Sequence, residues 1–214
     1  MRLRALSPGR RLLDVGCGTG VFLDLAVKEY GFQGRGREPG AAAAAYARGR
    51  GMSIEEAGMG PRAAPAGSFD LVTFWDVLEH LPDPRSALLA AAVLLREEGI
   101  ILIKVPNARA LAAAAARLLC RFRGEGMIRR DHPLQHLYHF SPATLKAMVE
   151  SAGMTVIEAV TEESAFSAFS PSRVRRAAKA VLRRLFRCLP LGVDEEIVVV
   201  ARKGRADPRL MGQG

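Results

Sequence analysis

Residues 12–20 read LLDVGCGTG, an apolar run interrupted by one acid and followed by three glycines that alternate with single residues. The run has the length of a buried strand, and the residues after it have the spacing of an amphipathic helix. Glycine lets the main chain adopt positive φ and lets another molecule approach it closely, at a cost in local stability. Three glycines within five residues, between a strand and a helix, therefore point to a bound ligand. Its place is the helix N-terminus, beside the carboxyl edge where open α/β sheets bind ligands.

The spacing of the loop selects among ligands. A pyrophosphate-binding loop reads G-x-G-x-x-G. Here Gly16, Gly18 and Gly20 give G-x-G-x-G, Val21 stands where the third glycine would be, and no Walker-type lysine follows. Glu38 lies 18 residues after Gly20, close to the ~20 at which an acid on the second strand reaches a ribose. The combination indicates a nucleoside without a diphosphate.

Outward from this loop, short apolar runs alternate with longer amphipathic segments, the pattern of βα units around a parallel sheet. Strands are expected over 11–15, 34–38, 52–55, 69–74, 99–105, 154–160 and 196–202, and helices over 20–30, 41–50, 85–96, 108–122, 142–152 and 171–189. Ser141 and Pro142 form a helix start, and Gly153 a helix end. The last two strands are separated by a long segment, which favours an antiparallel strand at that edge. One domain is expected over residues 1–204, with the 171–189 helix as an insertion and 205–214 as a flexible tail.

The chain has 214 residues and is 49% hydrophobic and 25% charged, an ordinary soluble composition. No apolar run approaches the ~18 residues of a membrane span, and the first residues lack the pattern of a secretory signal. A cytoplasmic location follows as the expectation. Cys17, Cys120 and Cys188 are odd in number and widely spaced, which fits neither a disulfide framework nor a zinc ligand set. They are read as free thiols, and no metal site is assigned. The net charge is +9, and from Arg117 onward 17 Lys and Arg stand against 10 Asp and Glu. Much of that excess falls on 171–189, where Arg183, Arg184 and Arg187 share a basic side opposite an apolar stripe including Val174, Val181 and Leu185. Such a helix either covers the substrate mouth with its arginines in water, the preferred reading, or makes peripheral contact with an anionic membrane.

With these residues in view, the chain resembles the class I S-adenosylmethionine-dependent methyltransferases. LLDVGCGTG is similar to their first motif, GREPG to their ribose-binding acid, and FDLVTFWDVLEHLPDP to their fourth-strand motif with its helix. HPLQHLYHFSPATLKAMVESAGM resembles the segment before the sixth strand in the small-molecule branch that includes ubiquinone-pathway-like O-methyltransferases, and EEIVVVARK a terminal strand. The resemblance implies an α/β, Rossmann-like, seven-stranded and mostly parallel sheet with helices on both faces, and S-adenosylmethionine as cofactor. It implies that Asp14, Gly16, Cys17, Gly18, Thr19 and Gly20 cradle the methionine part. Glu38, with Pro39 after it, would accept from both ribose hydroxyls, which the two oxygens of a carboxylate suit. Trp75 and Asp76 would border the sulfonium. Asp14 has a second reading, as an acceptor that only pins the loop, and Trp75 as core.

Some residues depart from the family pattern. The second strand reads GRGRE where branched apolar residues are usual, so Arg35 and Arg37 mark an exposed or weakened strand. Glu55, Glu56 and Ala57 are only positional candidates for the adenine. About ten residues precede the first strand, where family members carry helices that close the substrate pocket, so the pocket is either open or completed by a partner chain.

Methyl transfer from a sulfonium depends chiefly on positioning, and a base is needed only when the acceptor must ionise. His136, His80 and Tyr138 are the candidates, His136 first, with a structural role for each as the alternative. No specific nucleic-acid partner is expected. An Asn/Asp-Pro-Pro-aromatic motif is replaced by WDVLEH, and no cysteine nucleophile stands in that region. The expected activity is methyl transfer to a small-molecule acceptor, most simply at oxygen. The rivals are an inactive cofactor-binding relative and a membrane-surface protein working through its basic helix.

Overall fold

The apolar runs LLDV, DLVTFW and IILIKV are too continuous for strands with one wet face, and the fold buries both faces of each. A computed structural model describes residues 7–59, 64–110, 136–162 and 196–204. Its strands are β1 (Arg11–Val15), β2 (Gln33–Arg37), β3 (Ile54–Glu55), β4 (Phe69–Trp75), β5 (Leu95–Pro106), β6 (Met154–Glu162) and β7 (Glu196–Lys203). They form one seven-stranded sheet in the order β3-β2-β1-β4-β5-β7-β6. The helices are α1 (Val21–Tyr30), α2 (Ala41–Gly49), α3 (Pro84–Leu94) and α4 (Pro142–Ser151).

Alternate side chains divide the core between the two faces. Leu13, Val15, Val72, Phe74, Ile101 and Ile103 pack with Leu88 and Ala91 of α3 and Leu145 and Val149 of α4. Leu12, Leu71, Ile100 and Leu102 pack with Leu23 and Ala26 of α1 and Ala44 and Ala47 of α2. Each such Leu, Ile or Phe contributes ~1.5–3 kcal/mol of burial. The helix starts anticipated from sequence are built by side chains. Asp83 caps α3 by accepting from the Ser86 N–H at 2.9 Å. Ser141 and Thr144 close a reciprocal capping box on α4, with Thr144 Oγ1 accepting from the Ser141 N–H at 2.9 Å.

The glycines of the second strand have a packing reason. A Cβ on Gly34 would lie 2.6 Å from Leu23 Cδ1, and one on Gly36 2.5 Å from Cys17 Sγ. The strand gives up its side chains so that α1 and the loop after β1 can lie directly on it. The arginines between them differ. Arg35 is exposed, whereas Arg37 is 7% exposed and pairs with Glu55 Oε1 at 3.2 Å. β3 pairs with β2 only at Gly36 and Arg37, which leaves the first half of β2 without a neighbour on that side.

Two details depart from the sequence expectation. Helix α3 stops at Leu94, and Arg96 to Gly99 bulge out of β5, because Leu95 already pairs with Phe69 before the register resumes at Leu71 and Ile100. Asp70 holds Arg96 there, its Oδ1 2.8 Å from Nε. The antiparallel strand is present at the expected end of the sheet, one place in from the edge: β7 runs antiparallel to β5 and to β6, and β6 is the edge. The helix expected at 108–122, from residue 111 on, and the basic helix at 171–189 lie outside the described residues, as do Cys120, Cys188 and the 205–214 tail.

Candidate functional site

At the carboxyl ends of β1 and β2 the loop 16–20 turns sharply. Gly16, Gly18 and Gly20 all have positive φ. A Cβ on Gly18 would meet nothing within 4 Å, so open space lies over the centre of the loop, whereas one on Gly16 would meet Val77 Cγ2 at 2.5 Å. Glu38 braces the loop from β2. Its Oε2 accepts from the Gly18 N–H at 2.9 Å and its Oε1 from the Gly40 N–H at 2.8 Å. Each oxygen keeps further lone-pair capacity for a ligand hydroxyl.

Beside this brace lies a pocket of about 590 Å³ lined by Val15, Gly16, Glu38, Pro39, Ala57, Gly58, Met59, Asp76, Val77, His80, Leu81 and Leu137. The volume is that of an ordinary small-molecule site. A larger hollow of about 780 Å³ runs along Arg11, Gln33, Gly34, Arg35 and Arg50, toward the amino ends of the strands and away from the glycine loop. The pocket at the loop is the one that meets the glycine loop, Glu38 and the end of β4.

The anticipated residues divide between pocket wall and support. Gly16, Glu38, Pro39, Asp76 and His80 line the pocket, and Ala57 alone does so among the adenine candidates. Glu55 pairs with Arg37 and Glu56 with Arg48. Thr19 is exposed. Asp14 is 2% exposed and accepts from Thr73 Oγ1 at 2.7 Å; burial, against the pull of that hydrogen bond, pushes its carboxyl up to about 7. Cys17 packs under the loop, its thiol pushed up to about 12 by burial first and by Asp14 and Glu38 second. Trp75 turns to the α1 face, where its ring meets Phe22 at 4.8 Å between centroids.

Asp76 has φ 55, unusual for a residue other than glycine. Two bonds hold it there: its N–H donates to the Lys104 carbonyl at 2.9 Å, and Lys104 Nζ donates to its Oδ2 at 3.0 Å. Lys104 also reaches Glu196 Oε1 at 3.1 Å. Burial alone would lower this ammonium, but Asp76 and Glu196 outweigh it and raise the pKa.

Next to His80, but not itself part of the pocket lining, stands a residue that sequence reading passed over. Glu79 sits in the short 3-10 turn Leu78–His80 and is 1% exposed. Neither of its carboxylate oxygens has a hydrogen-bond partner. Burial first, and the Asp76 charge after it, push the group up to about 7. Its carbonyl accepts from the N–H groups of Leu137 at 2.7 Å and Tyr138 at 3.1 Å, which ties residues 136–139 to the pocket. The His136 ring then lies edge-on to that of His80, centroids 4.7 Å apart. Tyr138 points elsewhere, its hydroxyl donating to the Pro82 carbonyl at 3.1 Å. The sequence signal for Glu79 was an acid set between Leu78 and His80 in DVLEHL, straight after an apolar strand.

A family model described as a methyltransferase domain matches residues 1–159. The chain belongs to this family. It is 31% identical over 158 residues to the ubiquinone biosynthesis O-methyltransferase of Aeromonas salmonicida, spanning 69% of this chain and 64% of that protein. The chain thus covers slightly less than two thirds of that relative's length. In fold it is similar to a SAM-dependent methyltransferase from Archaeoglobus fulgidus (TM-score 0.68, 23% identity, 94% of this chain and 91% of that one). It is also similar to the phosphoethanolamine N-methyltransferase 2 of Haemonchus contortus in complex with S-adenosyl-L-methionine (TM-score 0.62, 16% identity, 95% and 51%). At these identities the structural likeness concerns the fold.

Proposed function

We propose that this protein is a methyltransferase that binds S-adenosylmethionine in the pocket between the glycine loop and Asp76 and passes its methyl group to a hydroxyl oxygen of a small molecule. The observation that carries the reading is Glu38, a carboxylate fixed by two backbone N–H groups at the rim of an open glycine loop, with acceptor capacity to spare for a ribose. Family membership and the named O-methyltransferase relatives support the reaction class.

The residues present fit the cofactor. Gly18 leaves the loop uncovered, Glu38 and Pro39 flank the ribose position, Ala57 stands on the side expected for the base, and Asp76 faces the position of the charged end. When bound, S-adenosylmethionine supplies an electrophilic methyl: the C–S bond breaks with its electron pair onto sulfur as the acceptor oxygen forms the new C–O bond and gives up its proton. The protein's work is orientation, which supplies most of the rate in such a displacement. Asp76, locked by Lys104, offers a negative charge to the sulfonium end. His80 on the pocket wall and His136 behind it are the groups placed to assist loss of the hydroxyl proton. Asp14 and Cys17 act from beneath, setting the shape of the loop. The reading carries with it a cytoplasmic location and a small-molecule acceptor; among the described residues no helix is long and apolar enough to cross a membrane.

Calorimetric titration with S-adenosylmethionine and S-adenosylhomocysteine, beside Glu38→Ala, tests the reading. Saturable binding that weakens sharply in the variant is expected. Failure of the folded wild type to bind either compound would sink it.

A further inference from the structure

We propose that the amino half of β2 is a docking edge, on which an acidic, extended segment of a partner protein adds as an outer strand. Hydrogen bonds on either side fix the direction of the β2 main chain. The Gln33 N–H donates to the Arg10 carbonyl on the β1 side, whereas the Gly36 and Glu38 N–H groups donate to the Ser53 and Glu55 carbonyls on the β3 side. Main-chain groups alternate along a strand, so those of Gly34 face the β3 side with those of Gly36. β3 pairs only with Gly36 and Arg37. Among the described residues no strand reaches Gly34, and its N–H and C=O open into the hollow of about 780 Å³.

The hollow wraps this edge from both faces of the sheet. A Cβ on Gly34 would point at Leu23 and Val27 of α1. The side chains of Gln33 and Arg35 therefore take the opposite face, as does Arg11, which is in register with Gln33. On the α1 face Lys28 and Arg50 both reach Asp24, at 2.9 and 3.0 Å. Four cations and one acid thus line the hollow. Arg35 is exposed and has no ion pair among the described residues. An added strand sends successive side chains to alternate faces. Because each face presents cations, acidic side chains at adjacent positions of that strand both find a partner.

Charge also selects the occupant. Sheet edges are commonly guarded by charged residues that repel a second strand. A guard that is positive on both faces excludes another copy of this chain, which would set Arg11 and Arg35 against the same residues, and admits a strand of opposite sign. The hollow lies away from the glycine loop, so the inference does not depend on the methyl-transfer reading.

The test uses the full chain and a fluorescent, capped peptide, Thr-Val-Glu-Glu-Val-Thr, read by anisotropy and by hydrogen exchange of the fragment that holds Gly34. Saturable binding is expected, with slower exchange of that fragment and loss of affinity as salt is raised. Arg35→Glu should bind about fivefold more weakly, and thermal melts check that this exposed substitution leaves the fold intact. The same peptide with both glutamate nitrogens methylated, or with lysine in place of glutamate, should not bind. Absence of saturable binding overturns the proposal. So does binding that survives main-chain methylation, which would make the hollow a site for anions in general. Sedimentation showing a dimer in which the Gly34 fragment is already protected would overturn it in favour of a second copy.

Discussion

The two edges of the sheet treat buried acids in opposite ways. At the amino edge Asp70 has donors and cations around it: the Arg11 N–H reaches its Oδ2 at 2.8 Å, the Arg11 guanidinium follows at 3.3 Å, and Arg96 Nε makes an ion pair 2.8 Å from Oδ1. Burial pushes this carboxyl up, but Arg11 and then Arg96 outweigh it and hold it below the ordinary range. At the carboxyl edge Asp14 has one hydroxyl donor and Glu79 has none, and both are pushed up to about 7. The same strand, β4, leads from one regime to the other. An acid that only stabilises is given its cations, whereas acids left short of partners gather where open α/β sheets bind ligands.

Four substitutions can break or sharpen this contrast. The largest effect should be on ligand affinity. Glu38→Ala removes two charge-assisted acceptors and should weaken S-adenosylmethionine about 100-fold by calorimetry, at ~1–3 kcal/mol per bond, while lowering stability little. Asp70→Asn should do the reverse, costing about 2 kcal/mol in denaturant melts and leaving cofactor affinity within twofold. That figure is kept low because the side chains of Arg11 and Arg96 are 47% and 40% exposed and rehydrate once released. If Asp70→Asn harmed affinity as much as stability, the division between the edges would be wrong.

Glu79→Met should be opposite in sign. At pH 8 it removes an ionised carboxylate with no hydrogen-bond partner and should raise stability by about 1–2 kcal/mol; a loss of stability would mean that Glu79 has an anchor in solution.

Asp14→Asn gives the most specific effect, a change in how stability depends on pH. Asp14 titrates near 7 when folded and near 3.8 when unfolded, so between these values the folded state holds the extra proton. Its contribution to stability is therefore full below about pH 4 and lost as pH rises to 7. The variant should flatten that part of the slope, leaving the share due to Glu79. Asp70 works the other way, with stability present above its unfolded pKa and lost on acidification.

The nucleotide half of the site was legible because its chemistry is local. The spacing of Gly16, Gly18 and Gly20, and the interval to Glu38, are set by one βαβ unit, whose first strand is a nearly continuous apolar run. The GRGR strand was readable as odd but not as explicable, since the reason lies in Leu23 and Cys17 packing against Gly34 and Gly36. Trp75 could be placed at the end of β4 but not on a face, and it packs on Phe22. Glu79 escaped attention because an acid in a stretch as mixed as DVLEHL reads as a surface residue. The tie from its carbonyl to Leu137 and Tyr138, across more than fifty residues, brings His136 to it.

The place of β7 has a consequence for the order in which the sheet can be completed. β5 and β6 are neighbours in chain order but not in the sheet, because Glu196–Lys203 lies between them. Until those residues leave the ribosome, β5 has one unpaired edge and β6 has no strand to pair with at all. A nascent chain stopped before residue 196 would display Ile100–Val105 as an open apolar template, the kind of edge on which chains aggregate. β7 is therefore a keystone, and refolding should be gated by the slow pairing of strands so far apart in the sequence.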